Sequence, residues 1–562
     1  MKKVAFHNLG CKVNSYELDI MRQILRDEGY EEVPFQDKAD IYVVNTCTVT
    51  NIADRKSRQM LHRAKKQNPD AVVIAVGCYV ETDPERVEKD DAVDLIIGNN
   101  KKSEIGKVLS AYLASRKAEE GEGHALPDDK SDDRPVDSAK SEMPGKSAKP
   151  DKSEMPGKFE MPGKSEMPGK SEMPGKPVKP GKPVAREDLT CSPAYEDMRL
   201  TDPGHTRAYI KIQDGCNQFC SYCIIPFARG RIRSRAKNEI LQEVADLVKK
   251  GIREVVLTGI HVSSYGLDTG AEGPVPFDPL KSGAALLDLF EELNALEGLE
   301  RIRLSSLEPR IMTEKFIAGI SRLKKICPHF HLSLQSGCDE TLRRMNRHYT
   351  TAEYERSVNL LRQYYDRPAI TTDVIVGFPG ETEEEFETTC AFLEKINFYE
   401  IHVFRYSRRN GTVAARMKNQ IPEQVKAVRS DRLLALTEAQ AKAYRAQFQG
   451  EEETLLLEEI CSYGTKQYWI GSTMRYVTGA VEIGVVEIGA VEIGENGTCG
   501  ARGADDGEQE AGGQEDRNLR PGMLLRGTFT GETIPFSRGD AARFIPQQKI
   551  CAENQPLNRK SK

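Results

Sequence analysis

The sequence predicts an α/β chain: an N-terminal doubly wound parallel α/β domain, then a partial (β/α)6 barrel, then a small C-terminal β-barrel. Short Val- and Ile-rich runs alternate with helical stretches as far as about residue 440. Beyond residue 450 the runs become strand-like and glycine-punctuated. Two low-complexity segments divide these blocks, giving expected boundaries of 1–118, 119–204 for a linker, 205–440, and 450–538 with an insert at about 480–516.

Within 1–118, Lys3–Leu9, Ile41–Asn45 and Val72–Val76 read as buried strands, with helices at Ser15–Glu28 and Ala53–Lys66. Strand–helix–strand spacing of this kind gives a parallel sheet with helices on both faces. Residues 205–440 repeat the pattern six times, with strands expected at Ala208–Gln213, Glu254–Thr258, Arg301–Ser305, His329–Leu334, Thr372–Val376 and Glu400–Phe404. Helical patterns follow, as at Glu239–Lys250, Ala284–Leu296, Ala352–Tyr365 and Glu383–Ile396. Six units fall short of the eight in a closed barrel, so an incomplete one is expected. In the last block Thr454–Glu458, Tyr468–Val477 and Gly522–Phe529 suit a small β-barrel of a kind that often binds RNA.

The hydrophobic fraction of 38% is low for a packed globule and agrees with unpacked length. Near copies of Ser-Glu-Met-Pro-Gly-Lys recur at 141–146, 153–158, 165–170 and 171–176. A Pro-Gly in every copy breaks helix and strand alike, so a disordered linker is expected. Val-Glu-Ile-Gly recurs at 481–484, 486–489 and 491–494, as in an expanded loop. The net charge of −6 does not single out a nucleic-acid binder, although a whole-chain sum hides local basic surfaces. Met1 to Asn8 forms no apolar signal core, and no apolar run approaches the ~18 residues of a membrane helix. Thirteen cysteines in such a chain suggest a reducing cytoplasm, with metal ligation or catalysis rather than disulfides.

The densest chemical signal is Asp214-Gly215-Cys216-Asn217-Gln218-Phe219-Cys220-Ser221-Tyr222-Cys223. Three thiols in a CxxxCxxC array can converge on one centre, and thiolates select zinc or iron–sulfur. Structural zinc takes four protein ligands, and no fourth Cys or His lies near. Three ligands suit a 4Fe-4S cluster with one open iron. The loop follows the first barrel strand, at the face where such barrels do chemistry. This motif resembles the radical S-adenosylmethionine superfamily. The resemblance implies that the open iron binds the cofactor, whose reductive cleavage yields a 5′-deoxyadenosyl radical.

Cys11, Cys47 and Cys78 each follow a strand candidate of the first domain, in Leu9-Gly10-Cys11, Asn45-Thr46-Cys47 and Val76-Gly77-Cys78. One cysteine at a strand end is commonly a small buried hydrophobe. Three at equivalent ends of a parallel sheet would share the edge at which such sheets bind ligands. These segments, with Cys216 to Arg235, His331–Gly337, Arg344–Arg347, Asp373–Thr382 and Ser407–Thr412, resemble the methylthiotransferases, and the C-terminal stretch is similar to a TRAM domain. The likeness covers nearly all of the chain outside the two inserts. Leu-Gly-Cys-Lys-Val-Asn-Ser-Tyr-Glu at 9–17 and Ile-Ile-Pro-Phe-Ala-Arg-Gly at 224–230 look like the threonylcarbamoyladenosine tRNA enzymes. The isopentenyladenosine enzymes more often read Tyr-Gly-Cys-Gln-Met-Asn at the first motif.

The resemblance implies two 4Fe-4S clusters, on Cys11/Cys47/Cys78 and on Cys216/Cys220/Cys223, with S-adenosylmethionine as cofactor. It implies tRNA as substrate, methylthiolated at adenine carbon 2, with an external electron donor and a sulfur source. Rival readings are the same chemistry on isopentenyladenosine or a ribosomal-protein aspartate, and a non-catalytic iron–sulfur protein that binds RNA.

Further cofactor-site candidates lie at barrel strand ends: Thr258 and Gly259, Ser333 and Gln335, Gly377, then Arg405 and Arg409. Thr258-Gly259 can equally be an ordinary strand–helix turn. Arg229, Arg231, Arg233, Arg235 and Lys237, and then Arg343, Arg344, Arg347 and His348, form basic runs that suit an RNA backbone. A solvated charged face is the commoner explanation of any one run.

Overall fold

The computed structural model describes residues 1–122, 182–189, 194–269, 275–483, 519–536 and 539–550. The calls on the repeats at 141–176 and on most of the 480–516 insert lie outside the described residues.

The first sheet is wholly parallel, in the order β2-β1-β3-β4-β5-β6. Its strands are β1 (Lys3–Asn8), β2 (Glu31–Glu32), β3 (Ile41–Thr46), β4 (Val72–Gly77), β5 (Leu95–Ile97) and β6 (Val184–Ala185). Helices α1 (Lys12–Asp27), α2 (Asn51–Gln67), α3 (Cys78–Thr82), α4 (Pro84–Glu88) and α5 (Ile105–Glu122) connect or follow them. All six residues of β3 and of β4 are buried, as their continuous apolar runs require of strands covered on both faces. The strand order reverses direction between β1 and β3, so the carboxyl ends of those strands flank a crevice.

β6 corrects the expected linker of 119–204. Ile97 pairs with Ala185, and Leu189, Met198 and Leu200 are buried. Short segments that complete another domain's sheet carry no periodicity of their own, so composition alone missed them.

The second block has β7 (Arg207–Asp214), β8 (Arg233–Ser234), β9 (Glu254–Gly259), β10 (Arg301–Leu304), β11 (His329–His331), β12 (Ala369–Val376) and β13 (Glu400–Arg405). Parallel pairing runs β7-β9-β10 and β11-β12-β13, and parallel bridges Ile302–Ile326 and Leu307–Leu332 join the two sets. The six strands thus form an open barrel, with β8 antiparallel on the β7 edge.

Alternation assigns the two faces of each strand. Ala208, Ile210, Ile212, Val255, Leu257, Ile302, Leu304, Phe330, Ile370, Val374, Ile401 and Val403 pack in or against the core beneath the helices. The opposite face therefore carries Arg207, Lys211, Gln213, Glu254, Arg301, Arg303, His329, His331, Asp373 and His402. A closed barrel is filled by branched apolar side chains; this inner face is polar.

The last block is a closed five-stranded barrel, β14-β15-β16-β18-β17. Its strands are β14 (Glu452–Tyr463), β15 (Lys466–Ser472), β16 (Thr478–Glu482), β17 (Leu524–Phe536) and β18 (Gly539–Ile550). β16 uses the start of the Val-Glu-Ile-Gly tract, whose alternation buries Val481 opposite Trp469, and β18 lies beyond the expected end at 538. The expected strand Tyr468–Val477 stops at Ser472. Residues 473–477 instead form a loop that meets the inner face of the open barrel. The Tyr476 ring stacks on His329 at 4.9 Å, with Arg303 at 4.8 Å and Arg207 at 5.3 Å from its centre.

Candidate functional site

Cys11, Cys47 and Cys78 follow β1, β3 and β4 directly, so the parallel sheet delivers all three to one edge. Gly10 has φ of +113°, and a Cβ there would lie 3.2 Å from Cys47 Sγ. Glycine thus permits the β1 end to approach the β3 end. Cys11 is exposed, whereas Cys47 and Cys78 are buried. Burial pushes the Cys47 thiol up to about 12, and the charges of Cys78 and Cys11 add to the effect.

Cys216, Cys220 and Cys223 occupy the loop after β7, all half-buried. Two flanking segments shape that loop. Cys216 N–H donates to the Gly230 carbonyl at 3.0 Å and Ser221 N–H to the Met345 carbonyl at 3.0 Å. Asn346 Nδ2 donates to the Phe219 carbonyl at 3.0 Å. Gly215, at φ of +70°, leaves no room for a Cβ, which would sit 1.7 Å from the Arg231 carbonyl oxygen. Burial raises the Cys223 thiol to about 12, reinforced by Cys220.

Within each triad the thiols act on one another electrostatically, yet no three sulfurs among the described residues lie within 4.8 Å of one another. A single zinc with bonds of about 2.3 Å would need closer sulfurs. Two three-thiol sets that are spread out and unpaired fit polynuclear iron–sulfur centres, each with one coordination position left for a ligand outside the chain.

An arginine meets each set. Arg347 donates to Cys220 Sγ at 3.3 Å, and its guanidinium also reaches the Ser333 carbonyl at 3.4 Å. Arg229 donates through Nε to Cys78 Sγ at 3.3 Å. Arg229 is fully buried and also bonds Glu17 at 2.6 Å, Asn14 at 2.6 Å and Asp214 at 3.2 Å. Lys102 and Lys211 bind Glu17 as well. Burial opposes charge on Asp214, but Arg229, Lys211 and Arg233 overcome it and hold the carboxyl down at about 2.

This network corrects the reading of Arg229, Arg233 and Arg235 as part of an RNA surface. Arg229, Arg233 and Arg235 are buried, and Arg235 pairs with buried Glu243. Lys237 pairs with Asp288 and Glu292, and Arg344 with Glu385. The buried carboxylates of Glu17, Asp214 and Glu243 hold Arg229, Arg233 and Arg235 inward.

The strand-end candidates fall at the carboxyl edge of the open barrel. Thr258 and Gly259 end β9, where Gln213 Oε1 accepts from His261 N–H at 2.8 Å while Gln213 Nε2 donates to the Gly215 carbonyl at 2.8 Å. Ser333 offers its carbonyl to Tyr349 and Arg347. Gln335 has φ of +73° and is buried. Gly377, at φ of +70°, donates its N–H to Glu381 at 2.7 Å. Arg405 is half-exposed, 3.5 Å from Asp431. Arg409 departs from its expected role. Its guanidinium bonds Thr48, Asn51 and Asp54 and is spent on clasping the first domain rather than a cofactor.

Sequence reading missed a cluster on the inner barrel face. Asp373 lies between two imidazoles, 3.2 Å from His331 Nε2 and 3.2 Å from His402 Nδ1. These are the one set of three His, Cys, Asp or Glu ligand atoms within 4.8 Å of one another among the described residues. Burial opposes charge on Asp373, and the two imidazoles overcome it, holding its carboxyl below the usual range. The strand period, with His331, Asp373 and His402 all on the face opposite the apolar positions, was the available signal.

No helix among the described residues is long and apolar enough to cross a membrane. A family model described as the Radical SAM superfamily matches residues 210–393, and one described as Uncharacterized protein family UPF0004 matches residues 3–98. The threonylcarbamoyladenosine tRNA methylthiotransferase MtaB of Bacillus subtilis (strain 168) is 37% identical over 479 residues, covering 85% of this chain and 90% of that protein. Its namesake in Aquifex aeolicus (strain VF5) is 36% identical, covering 81% and 93%. The tRNA-2-methylthio-N(6)-dimethylallyladenosine synthase of Moorella thermoacetica is 31% identical, covering 80% and 85%. With these matches spanning both cysteine-bearing domains, the chain belongs to the methylthiotransferase family of radical S-adenosylmethionine enzymes.

Proposed function

We propose that this protein adds a methylthio group to carbon 2 of N6-threonylcarbamoyladenosine at position 37 of tRNA, using S-adenosylmethionine and two 4Fe-4S clusters. The observation that carries the reading is the pair of separate three-thiol sets in one chain that is 37% identical, over 85% of its length, to a relative named for that substrate. The clusters and S-adenosylmethionine supply, when bound, homolytic activation of a carbon–hydrogen bond that acid–base chemistry cannot reach, together with the methylthio group itself.

The chain's own residues bind and orient. Cys216, Cys220 and Cys223 hold the cluster that meets S-adenosylmethionine, and Cys11, Cys47 and Cys78 hold the second. Arg347 donates to Cys220 Sγ and Arg229 to Cys78 Sγ, so each set has one sulfur held by a guanidinium. Thr258, Gly259, Ser333, Gln335 and Gly377 line the cofactor side of the barrel edge. The open barrel is the catalytic domain, and the five-stranded barrel is a TRAM-like domain that grips the tRNA outside the reacting base. An external electron donor and a sulfur source complete the reaction.

The test is mass spectrometry of tRNA nucleosides from cells with and without the gene. Loss of 2-methylthio-N6-threonylcarbamoyladenosine, with accumulation of its unthiolated precursor, is expected. Loss of the isopentenyl nucleoside instead would transfer the assignment to that substrate.

A further inference from the structure

Strands β11, β12 and β13 bring His331, Asp373 and His402 together on the inner barrel face. Asp373 and His402 are direct partners across the β12–β13 pair, and His331 comes from the strand on the other side of β12. The two imidazole rings stack, with centroids 5.4 Å apart and 27° between their planes. The Asp373 carboxylate reaches both, with one oxygen 3.2 Å from His331 Nε2 and the other 3.2 Å from His402 Nδ1. Donors carried on paired strands are held more firmly than donors on loops.

Hydrogen bonding does not account for the whole arrangement. His331 is 9% exposed, and its Nε2 makes no hydrogen bond among the described residues. The ring does not aim Nε2 along the 3.2 Å line to Asp373 Oδ2. An ion bonded to both atoms would sit to one side of that line, so a nitrogen aimed off it is in keeping with a shared ion. Neighbouring donors on one zinc-like ion, with bonds of about 2.0–2.2 Å, stand about 3.0–3.5 Å apart. Both donor spacings here fall in that range. Thr371 Oγ1 lies 3.0 Å from His331 Nδ1 and steadies the ring from behind, as outer partners of metal-bound histidines do. His402 Nδ1 donates to Asp373 at 3.2 Å and would give up that proton to the ion. His402 is half-exposed, which gives an ion a way in from solvent. Imidazole suits zinc, iron, copper and nickel, whereas magnesium and calcium favour oxygen donors. We propose that His331, Asp373 and His402 bind one divalent transition-metal ion, at a site that shares no residue with either cysteine set. Three protein donors leave at least one position for water or a substrate group.

The test is zinc binding by the cluster-loaded protein. It is titrated anaerobically with zinc chloride in a calorimeter, and iron and zinc are measured in the same samples after desalting. Wild type should retain one zinc per chain more than His402→Ala or Asp373→Ala, with iron unchanged. Each of those variants lacks one of three ligands and should bind zinc at this site about a hundredfold or more weakly. Thr371→Val keeps all three ligands and removes only the outer hydroxyl, so it should weaken binding about tenfold. X-ray absorption at the zinc edge should show nitrogen and oxygen neighbours and no sulfur. Circular dichroism is matched across the proteins, and half-exposed His402 can be truncated without opening the core. Equal zinc in wild type and both alanine variants would overturn the proposal and leave a proton-bridged triad. Zinc gained only as iron is lost, or sulfur in its coordination shell, would overturn it too. The tRNA substrate assigned above stands or falls independently of these outcomes.

Discussion

Cys216, Cys220 and Cys223 share one loop, whereas Cys11, Cys47 and Cys78 come from three strand ends separated by whole helices. The first set lies within one loop, bent at Gly215 and held by the nearby Gly230 carbonyl, with the Met345–Asn346 segment bracing it from far along the chain. The second exists only when β1, β3 and β4 are paired in register. A local motif specifies its geometry through turns, and a dispersed one through topology. The two sets are also cross-wired: Arg229, which serves Cys78, belongs to helix α6 (Ile225–Arg229), just beyond the CxxxCxxC loop.

The comparison breaks most sharply on the thiols themselves. Cys220→Ala should abolish both 5′-deoxyadenosine formation and methylthio transfer, because it removes one of the three thiols proposed to hold the cofactor-binding cluster. Cys47→Ala should still form 5′-deoxyadenosine under reducing conditions, yet transfer no methylthio group. Chromatography of both products, beside circular dichroism, reads the split. Normal transfer by a folded Cys47→Ala protein would show that the dispersed set is not a cluster site. Wild type should hold about eight irons after reconstitution, and either variant about four.

Arg229→Met tests the cross-wiring. It strips Glu17, Asp214 and Asn14 of a fully buried partner, and breaking buried pairs costs roughly 3–5 kcal/mol. A denaturant-midpoint shift of that size should appear, with the first domain loosened as read by hydrogen exchange. An unchanged midpoint would mean that Lys102 and Lys211 alone suffice for Glu17.

The smallest effect sharpens the parallel between the sets. Arg347→Met should lower the reduction potential of the barrel cluster alone, on the order of tens of millivolts, because a cationic N–H donor to sulfur favours the more negative reduced state. Spectroscopic redox titration resolves the two centres. Equal movement of both potentials would contradict their separateness.

The legibility of the sequence follows the same divide. CxxxCxxC reads directly, and the three strand-end cysteines read once parallel pairing is inferred. Fate inside the fold did not read. Arg229 and Arg233 look like a basic patch until Glu17 and Asp214 are brought beside them. Arg409 looks like a cofactor ligand until Asp54, from the first domain, claims it. β6 escaped because two paired residues carry no period, and β18 because it lies past the expected domain end at 538. The polar inner face was visible in the strand alternation, but its purpose depends on the open barrel and on what fills it.

One contact bears on how this protein can change over generations. Arg301 donates to the carbonyls of Ser472 and Thr454, and Arg303 to those of Thr473 and Met474. All four acceptors are main-chain atoms, which every amino acid supplies. These four contacts therefore do not depend on which side chain stands at the acceptor position, while they do depend on Arg301 and Arg303. The joint also contains side-chain pairs, Arg207 with Glu458 and the Tyr476 ring on His329, so tolerance of exchange is confined to those four acceptors and the rest of the seam must change in matched pairs.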